Sequence, residues 1–438
     1  MRLQLAQLSA LLFSILLMVS GNAFLMTLLG VRLSGSGTTT NIIGWVLLCY
    51  FIGFVIGTLY ADRVIRRVGH IRAFAVFAAT TAAAALLYPY LDKPIWWAGL
   101  RVISGLSMAG LLVVVESWFS ARATNSNRAT LFAIYQIAFY IASAGGQLLI
   151  NIGDPLTFAP FTLAGILLII ALIPLSLTRV QAPSIEHVEH LPLRRLLHLV
   201  PLGMITSLAS GLVINAFYAL GPVYATQIAL SLGELSIFMA LAVIVAMLFA
   251  WPLGWISDRV ERRHALMWVA LGAALASIST ALFGEQDYRL LLLCTGLFMG
   301  LTAALYPLAV AMVNDRMDSR EIVAASAGLL LSYGIGACLG PALGSLMMTL
   351  FGPSGLFLGN GVILLALVPL SRYWITQVKP LPLAEQEHFV AAMPATTPVL
   401  AGIDPRNEAF EEAALSEPED ERRAAPTPEE NPVAGEQS

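Results

Sequence analysis

Twelve long apolar runs divide the first 375 residues of the chain, and short polar segments separate them. A helix needs about 20 mostly apolar residues to cross the hydrocarbon core of a bilayer. Open strands would leave backbone groups unpaired in lipid, so runs of this length predict helices. The predicted spans 1 to 12 cover residues 8–33, 41–61, 70–90, 95–119, 129–152, 157–178, 200–225, 234–257, 265–283, 290–313, 322–350 and 355–375. The pattern predicts an all-α membrane protein with twelve transmembrane helices.

Composition agrees with a membrane protein and argues against several soluble classes. The 438 residues are 58% hydrophobic and 12% charged, whereas soluble domains carry about 25% charged residues. Cys49, Cys294 and Cys338 lie in apolar segments without metal-type or CxxC spacing, so we expect neither a metal site nor a disulfide framework. P-loop, GxSxG and HExxH motifs and basic aromatic modules are absent from the sequence. We therefore expect no enzyme, no cofactor and no nucleic-acid partner.

The distribution of basic residues predicts the orientation in the membrane. Cytoplasmic loops of membrane proteins carry an excess of Lys and Arg. If both termini are cytoplasmic, the outer loops hold only Arg32, Lys93 and Arg289. The inner segments then hold fifteen arginines, which are Arg2, Arg63, Arg66, Arg67, Arg72, Arg122, Arg128, Arg179, Arg194, Arg195, Arg259, Arg262, Arg263, Arg316 and Arg320. We therefore expect a multi-pass protein of the cell (inner) membrane with both termini in the cytoplasm.

Loop length and charge divide the chain into four parts. Residues 179–199 form a long cytoplasmic linker that separates the spans six and six. This predicts one helical bundle over residues 1–178 and a second over residues 200–375. Residues 376–438 hold 13 acids and 4 bases and lack apolar periodicity. That composition predicts a disordered acidic cytoplasmic tail.

The two halves share unusual residues in the same order. Three matches occur in corresponding spans: Asn22–Phe24 with Asn215–Phe217, "DRVIRR" at 62–67 with "DRVERR" at 258–263, and Gly146 with Gly340. Their offsets are 193, 196 and 194 residues. Matches at a nearly constant offset indicate a duplicated six-helix unit, and such repeats commonly build transporters with a central site between the halves.

Twelve spans with a charged "DRxxRR" segment after spans 2 and 8 resemble the major facilitator superfamily, whose signature is G-x-x-x-D-R-x-G-R-R. The second copy matches at Gly254, Asp258, Arg259, Arg262 and Arg263, with Glu261 in place of the inner glycine. The first copy departs more, because Gly57 lies five residues before Asp62 and Ile65 replaces the inner glycine. "LLVVVESW" (111–118), "ALYP" (304–307) and "LLLSYGIGACLGP" (329–341) resemble the YcaD-type branch.

The resemblance implies two pseudo-symmetric six-helix bundles that rock around a midplane site. It also implies that the charged segments latch the halves on the cytoplasmic side when the protein opens outward. Ordinary solvated loop charge is the alternative role for these residues. The candidate gate and coupling residues are Asp62, Arg63, Arg66, Glu116, Asp258, Arg259 and Arg262. We expect Asp62 and Asp258 to begin loops and Arg66 to pair with Glu116.

Polar residues within the spans are candidates for the central cavity. Gln136, Tyr140, Ser143, Gln147 and Asn151 fall on one face of span 5, and such a stripe should not face lipid. It either lines a cavity or bonds to neighbouring helices. In the family, spans 1, 4, 7 and 10 contribute most of the cavity. The substrate-cavity candidates are Asn22, Arg101, Gln136, Tyr140, Asn215, Tyr218, Tyr306 and Tyr333.

Two charges inside the spans of the first half suggest further roles. Arg101 is a basic residue well inside span 4, where it could bind an anionic group, assist coupling or make a structural hydrogen bond. Glu116, near the end of the same span, is the candidate proton carrier.

Small residues recur every fourth position on three spans. They are Cys49, Gly53, Gly57 and Ala61 on span 2, Ala242, Ala246, Ala250 and Gly254 on span 8, and Gly336, Gly340 and Gly344 on span 11. Small residues at this spacing allow close helix approach. The resemblance places these faces between the halves, where they either slide or pack statically.

Together these features predict a secondary active transporter of a small organic solute, a symporter or antiporter with protons as the candidate coupling ion. The expected partners are the small-molecule substrate and the lipid bilayer, and we expect a monomer. Two alternatives remain open: a multidrug efflux antiporter and a non-transporting membrane sensor built on a transporter fold.

Overall fold

The computed structural model describes residues 2–124, 126–177, 193–317 and 322–377, together with positions 382, 386, 389, 390, 393, 397 and 399. Most of the predicted linker and of the predicted tail therefore lies outside the described residues. Within the described residues the chain is helical, and twelve helices are long and apolar enough to cross a membrane. This confirms the all-α fold class and the predicted number of spans.

The first half contains spans 1 to 6, and apart from the longer C-terminal end of span 2 each lies within a few residues of its predicted position. The helices of this half are Arg2–Gly35, Thr40–Val68, His70–Leu87, Pro94–Ser120, Arg128–Leu148, Ala159–Ile170 and Leu172–Leu177. The break in span 6 lies at Ala171. Pro174 has no N–H to donate to the carbonyl of Ile170, so the regular helix is interrupted just there.

The second half contains spans 7 to 12 and begins after a short linker helix, Leu193–Leu199. Its helices are Pro201–Gln227, Leu232–Ser257, Arg262–Phe283, Tyr288–Ala303, Leu305–Asn314, Ile322–Phe351 and Gly355–Gln377. Span 10 is interrupted at Ala304, and the cause matches that in span 6, because Pro307 cannot donate to the carbonyl of Ala303.

Helix packing shows the internal duplication directly. In the first half span 1 packs against spans 5 and 6, span 2 against span 4, and span 3 against spans 4 and 6. The second half repeats each of these pairs six spans later. Between the halves, span 1 meets span 7, span 2 meets span 11 and span 5 meets span 8. The two six-helix bundles therefore share one packing plan and face each other along three pairs of spans.

The periodic glycines of spans 2 and 11 (Gly53, Gly57, Gly336, Gly340 and Gly344) pack inside their own halves, which corrects the expectation that these stripes face the other half. Gly53 lies against the backbone of Val102 in span 4, and Gly336 lies against Leu208 in span 7. A Cβ at either glycine would clash with a backbone carbonyl, so these residues hold helix pairs at close range. They are positioned for static packing within each bundle.

The two charged hexapeptides adopt different structures. "DRVIRR" continues the helix of span 2 to Val68, so the prediction that Asp62 begins a loop is wrong. With Ile65 where the family signature has glycine, no helix breaker occurs before Gly69, which ends the helix with φ = 85°. In the second copy the helix ends at Ser257, and Asp258 begins the turn as predicted.

Candidate functional site

A large cavity lies between the two halves, with about 2300 Å³ of empty space including the part open to solvent. Both halves supply its walls, which are mostly apolar with a band of neutral polar and aromatic side chains. That band comprises Asn22, Tyr50, Tyr140, Ser143, Gln147, Asn215, Tyr218 and Tyr333. Asp62 and Arg66 lie at one end of the cavity. We call the end of the bundle that carries Arg66, Arg122 and Arg262 the arginine-rich end.

The two halves are in contact at the opposite end. The side-chain amide of Gln227 donates to the hydroxyl of Thr40 at 2.9 Å, and that of Asn151 donates to Ser236 at 2.8 Å. Gly44 of span 2 also lies so close to Ser345 of span 11 that a Cβ would clash with it. These contacts close the cavity away from the arginine-rich end. The structure is therefore open toward the arginine-rich end.

In the second half, Asn215 and Tyr333 form a polar pair on the cavity wall. The Asn215 side-chain amide donates to the Tyr333 hydroxyl at 2.8 Å and to the carbonyl of Gly211 at 2.7 Å. Tyr306 packs edge-to-face against Tyr333 with ring centroids 5.5 Å apart, and it is not among the lining residues. Tyr306 therefore supports the wall from behind, whereas Asn215 and Tyr333 present polar atoms to the cavity.

Span 5 contributes part of its polar stripe to the cavity. Tyr140, Ser143 and Gln147 line it, and the side-chain oxygen of Gln147 accepts a hydrogen bond from Thr27 of span 1. Asn151 lies beyond them, in the contact with Ser236 that joins the halves. Gln136 is buried and does not line the cavity. The stripe thus serves both of the roles that the sequence left open.

Tyr140 and Tyr218 approach each other across the interface between the halves. Both line the cavity and both pack against a small buried cluster of Ala144, Ala240 and Val243. This cluster joins span 5 to span 8, so the two phenol groups lie at the interface between the halves.

Arg101 does not line the cavity, although the sequence suggested it as a candidate. Its side chain is fully buried, with the guanidinium carbon 4.3 Å from the ring centroid of Tyr50 and a donated contact to the sulfur of Met26. Tyr50 and Met26 are lining residues, so Arg101 lies one layer behind the wall. No carboxylate forms an ion pair with it among the described residues. Arg101 therefore touches the cavity wall through Tyr50, by a cation–π contact.

Charged residues at the arginine-rich end form contacts within their own halves. Arg66 pairs with Asp62, four residues earlier on the same helix, and Arg63 lies over the ring of Tyr60. In the second half, Arg262 forms a buried ion pair with Asp315 at the end of span 10. Arg259 lies over the ring of Trp255, with its guanidinium carbon 3.9 Å from the centroid.

Glu116 is fully buried and has different partners from the one predicted. Its carboxylate accepts hydrogen bonds from the Tyr135 hydroxyl at 2.7 Å and from Thr397 of the C-terminal tail. Arg66 pairs with Asp62 instead, so the predicted Arg66–Glu116 pair is not formed in this conformation. The Arg66–Glu116 pair is expected as a latch in the outward-open state. Its absence is consistent with a structure that is open at the arginine-rich end.

Sequence reasoning missed several residues of this site. Tyr50 and Met26 are cavity-lining residues on spans 2 and 1, and no periodic pattern distinguished them from packing residues. Phe389, Met393 and Thr397 belong to the predicted solvated tail, yet Met393 and Thr397 are buried against the bundles. A signal for the tail residues was available, because residues 388–403 contain no Asp, Glu, Lys or Arg within an otherwise strongly charged tail.

Comparison with known protein families identifies the class of protein to which this fold and cavity belong. The family model described as "Major Facilitator Superfamily" matches residues 10–303, and one described as "Transmembrane secretion effector" matches residues 223–398. The chain therefore belongs to the major facilitator superfamily, a family of membrane transporters and not of enzymes. It is a multi-pass membrane protein whose family works on small molecules in a lipid bilayer.

Within that superfamily the chain is of the YcaD type. It is 30% identical over 360 residues to the MFS-type transporter YcaD of Shigella flexneri serotype 5b (strain 8401), covering 80% of this chain and 90% of the relative. The YcaD protein of Escherichia coli (strain K12 / DH10B) matches with the same identity and coverage.

Solved structures agree on the fold. The nucleoside transporter NupG matches with a TM-score of 0.73 at 15% identity, over 86% of this chain and 100% of that chain. A bacterial homologue of the human lysosomal transporter Spinster, in an inward-facing and unoccupied conformation, matches with a TM-score of 0.62 at 15% identity, over 84% and 96% of the two chains.

Proposed function

We propose that this protein carries a small organic solute across the inner membrane by alternating access, driven by the proton gradient. The observation that supports this most strongly is the cavity between two pseudo-symmetric bundles, open at one end and closed at the other. A site between repeats that rock against each other is the usual arrangement in secondary transporters.

The positive-inside rule favours a cytoplasmic location for the arginine-rich end. On that assignment both termini are cytoplasmic and the conformation is inward-open. Opening to the outside would require the contacts of Thr40 with Gln227 and of Asn151 with Ser236 to break. New contacts would then form at the arginine-rich end, where Asp62 and Asp258 lie on opposite halves. These carboxylates would exchange their present partners, Arg66 and the backbone N–H of Phe389, for contacts between the halves.

The chemistry of the cavity wall favours a largely neutral solute with apolar or aromatic surface and a few hydrogen-bonding groups. Asn22, Asn215 and Tyr333 offer donors and acceptors, whereas Tyr50, Tyr140 and Tyr218 offer ring faces. A few convergent polar groups on an otherwise apolar wall are typical of small-molecule sites. Each chain encloses its own cavity, so we propose the monomer as the working unit.

Glu116 is the proposed proton carrier. A carboxylate this deeply buried is costly to ionise unless hydrogen bonds compensate, so its protonation is sensitive to what surrounds it. Tyr135 holds one of its oxygens, and the arginine-rich end lies nearby. A change in the surroundings of Glu116 as the halves move would couple proton binding to the conformational change.

Thermal-shift screening of the purified protein against a library of metabolites and drugs tests the proposed binding site. We expect compounds that raise the melting temperature and that lose this effect in an Asn215→Ala variant. A radiolabelled compound from the screen then serves as the solute for flux measurements in liposomes. Stabilisation by many unrelated drugs, with no selective compound, would instead support multidrug efflux.

A further inference from the structure

Five residues from the C-terminal tail lie against the arginine-rich end of the bundle. They are Phe389, Val390, Met393, Thr397 and Val399, which we call the tail segment. Met393 and Thr397 are 5% and 1% exposed, and Met393 and Val399 line the cavity itself. The tail segment therefore lies in the mouth through which the cavity opens.

One anchor of the tail segment is on the second half of the protein. The backbone N–H of Phe389 donates to Oδ1 of Asp258 at 2.8 Å. The ring of Phe389 packs against Gly254, where a Cβ would clash with the ring carbons. Gly254 and Asp258 are the first glycine and the aspartate of the charged signature after span 8. The signature thus forms a small docking site for an aromatic residue and its backbone amide.

The other anchor is on the first half. The backbone N–H of Thr397 donates to Oε2 of Glu116 at 3.0 Å, and the Thr397 hydroxyl donates to the same carboxylate. Hydrogen bonds to a carboxylate are stronger than neutral ones, and removing a partner from a buried carboxylate is costly. Thr397 therefore provides Glu116 with partners that compensate for its burial.

The sequence of the tail fits this placement. The interval 388–403 carries no Asp, Glu, Lys or Arg, whereas the whole tail from residue 376 holds 13 acids and 4 bases. An uncharged interval can enter an apolar mouth without desolvating ionic groups, which the flanking acidic sequence cannot do. The chain thus contains an interval suited to the site beside it.

We propose that the cavity mouth is a binding site for the chain's own tail segment, which joins the two halves and holds the protein open toward the arginine-rich end. This inference extends the proposed transport function. The tail segment contacts Asp258 on one half and Glu116 on the other, so it must leave before these halves can close on each other. The tail segment also binds the carboxylate of Glu116, which we propose as the proton carrier. The protein therefore cannot transport while the tail segment occupies the cavity mouth.

Access to the cavity tests the proposal without any need for a substrate. A background with Cys49, Cys294 and Cys338 changed to alanine receives one reporter, Ser143→Cys, on the cavity wall. The full-length protein in detergent is labelled with a fluorescent maleimide, and the labelling rate is measured. The release variant carries Phe389→Ala and Thr397→Ala, and the matched control carries Pro382→Ala at an exposed tail position.

We expect the release variant to label about tenfold faster than the control. Losing one hydrogen bond to a charged group weakens the binding of the tail segment by about that factor, and the reporter is exposed correspondingly more often. Equal rates in the two variants would overturn the proposal. Reporters in the tail give a second measurement that does not depend on the double substitution. Met393→Cys should label about tenfold more slowly than Pro382→Cys, and equal labelling of these two would also overturn it.

These outcomes are separate from the outcome for transport. Labelling rates report whether the tail segment occupies the cavity mouth and do not depend on transport, so they keep their meaning if no flux is found. Conversely, the release variant and the control could show the same flux and the same labelling rate. That result would leave the proposed transport function intact and would exclude the proposed role of the tail segment.

Discussion

Thr397 and Glu116 lie 281 positions apart in the chain, yet the backbone N–H of Thr397 donates to the Glu116 carboxylate at 3.0 Å. The Tyr135 hydroxyl donates to the other carboxylate oxygen at 2.7 Å. These hydrogen bonds place a fully buried acid in contact with a segment from outside the spans. The protonation of Glu116 and the position of the tail segment are therefore physically linked.

Replacing Glu116 by glutamine tests its role as proton carrier. Glutamine keeps the size of the side chain and one accepting oxygen, but it replaces the other oxygen by an NH₂ donor and cannot exchange a proton. We expect uptake driven by a pH gradient to be abolished, while exchange of labelled for unlabelled solute across liposomes continues. Glu234→Gln is the matched control, because Glu234 caps span 8 at the opposite end and should leave both activities unchanged. Intact gradient-driven uptake in Glu116→Gln would exclude Glu116 as the carrier.

The polar pair on the cavity wall gives a prediction for substrate binding. Tyr333→Phe removes the hydroxyl that accepts a hydrogen bond from Asn215. The solute then loses the hydroxyl as a partner, and the Asn215 amide is no longer held in its orientation toward the cavity. We expect the affinity for the compound found by thermal shift to fall about threefold to tenfold, in line with the loss of one hydrogen bond. Tyr306→Phe, which alters a ring behind the wall, should change the affinity much less. Equal effects of the two substitutions would contradict the assignment of Tyr333 to the wall.

Two glycines of span 4 test the close packing against span 2. A Cβ at Gly105 would clash with the carbonyl oxygen of Tyr50, whereas a Cβ at Gly99 meets nothing within 4 Å. We expect Gly105→Ala to destabilise the protein by about 1 to 3 kcal/mol or more, the usual cost of overpacking. Gly99→Ala should be close to neutral. Thermal unfolding of the purified variants measures the difference, and similar melting temperatures would show that spans 2 and 4 separate easily.

A disulfide across the closed end tests whether the halves must move. Asn151 and Ser236 are hydrogen-bonded at 2.8 Å across the interface between spans 5 and 8. In the background without native cysteines, Asn151→Cys combined with Ser236→Cys should cross-link under oxidation and stop flux. Reductant should restore it, and the single variant Asn151→Cys should be insensitive to oxidation. Full flux with the cross-link formed would show that this contact persists throughout transport.

The number and positions of the spans could be predicted from the sequence because a bilayer imposes both length and polarity on each helix. The end of a span is harder to predict where charged residues suggest a loop but no residue ends the helix. Arg63, Arg66 and Arg67 look like loop residues by charge, but nothing in "DRVIRR" ends a helix, so span 2 continues to Val68. The clear stop signal is the glycine at position 69.

The candidate site could be predicted only in part. The sequence predicts Asn22, Tyr140, Asn215, Tyr218 and Tyr333 as cavity residues because they are polar or aromatic and lie within the spans, and all five line the cavity. The same reasoning predicts Arg101, Gln136 and Tyr306, yet these three residues lie behind the wall. A single sequence shows which residues share a face of a helix, but it does not show how far that face lies from the cavity. That distance depends on how the two halves pack together.

The contacts of Glu116 could not be predicted for a different reason. Its partner Thr397 lies in a tail whose overall composition indicates disorder, and a composition averaged over many residues conceals one short uncharged interval. The contact of Gly254 could not be predicted for the same reason, since its partner Phe389 also lies in the tail. Long-range contacts of this kind depend on the folded chain and leave no local pattern in the sequence.

Flux through liposomes that contain only this protein tests the central claim most directly. With a radiolabelled compound from the thermal-shift screen, we predict saturable uptake that a pH gradient drives and that the Asn151–Ser236 cross-link blocks. Binding of the compound without any flux, in vesicles where the protein is folded and correctly inserted, would contradict the proposed transport and would favour a membrane sensor.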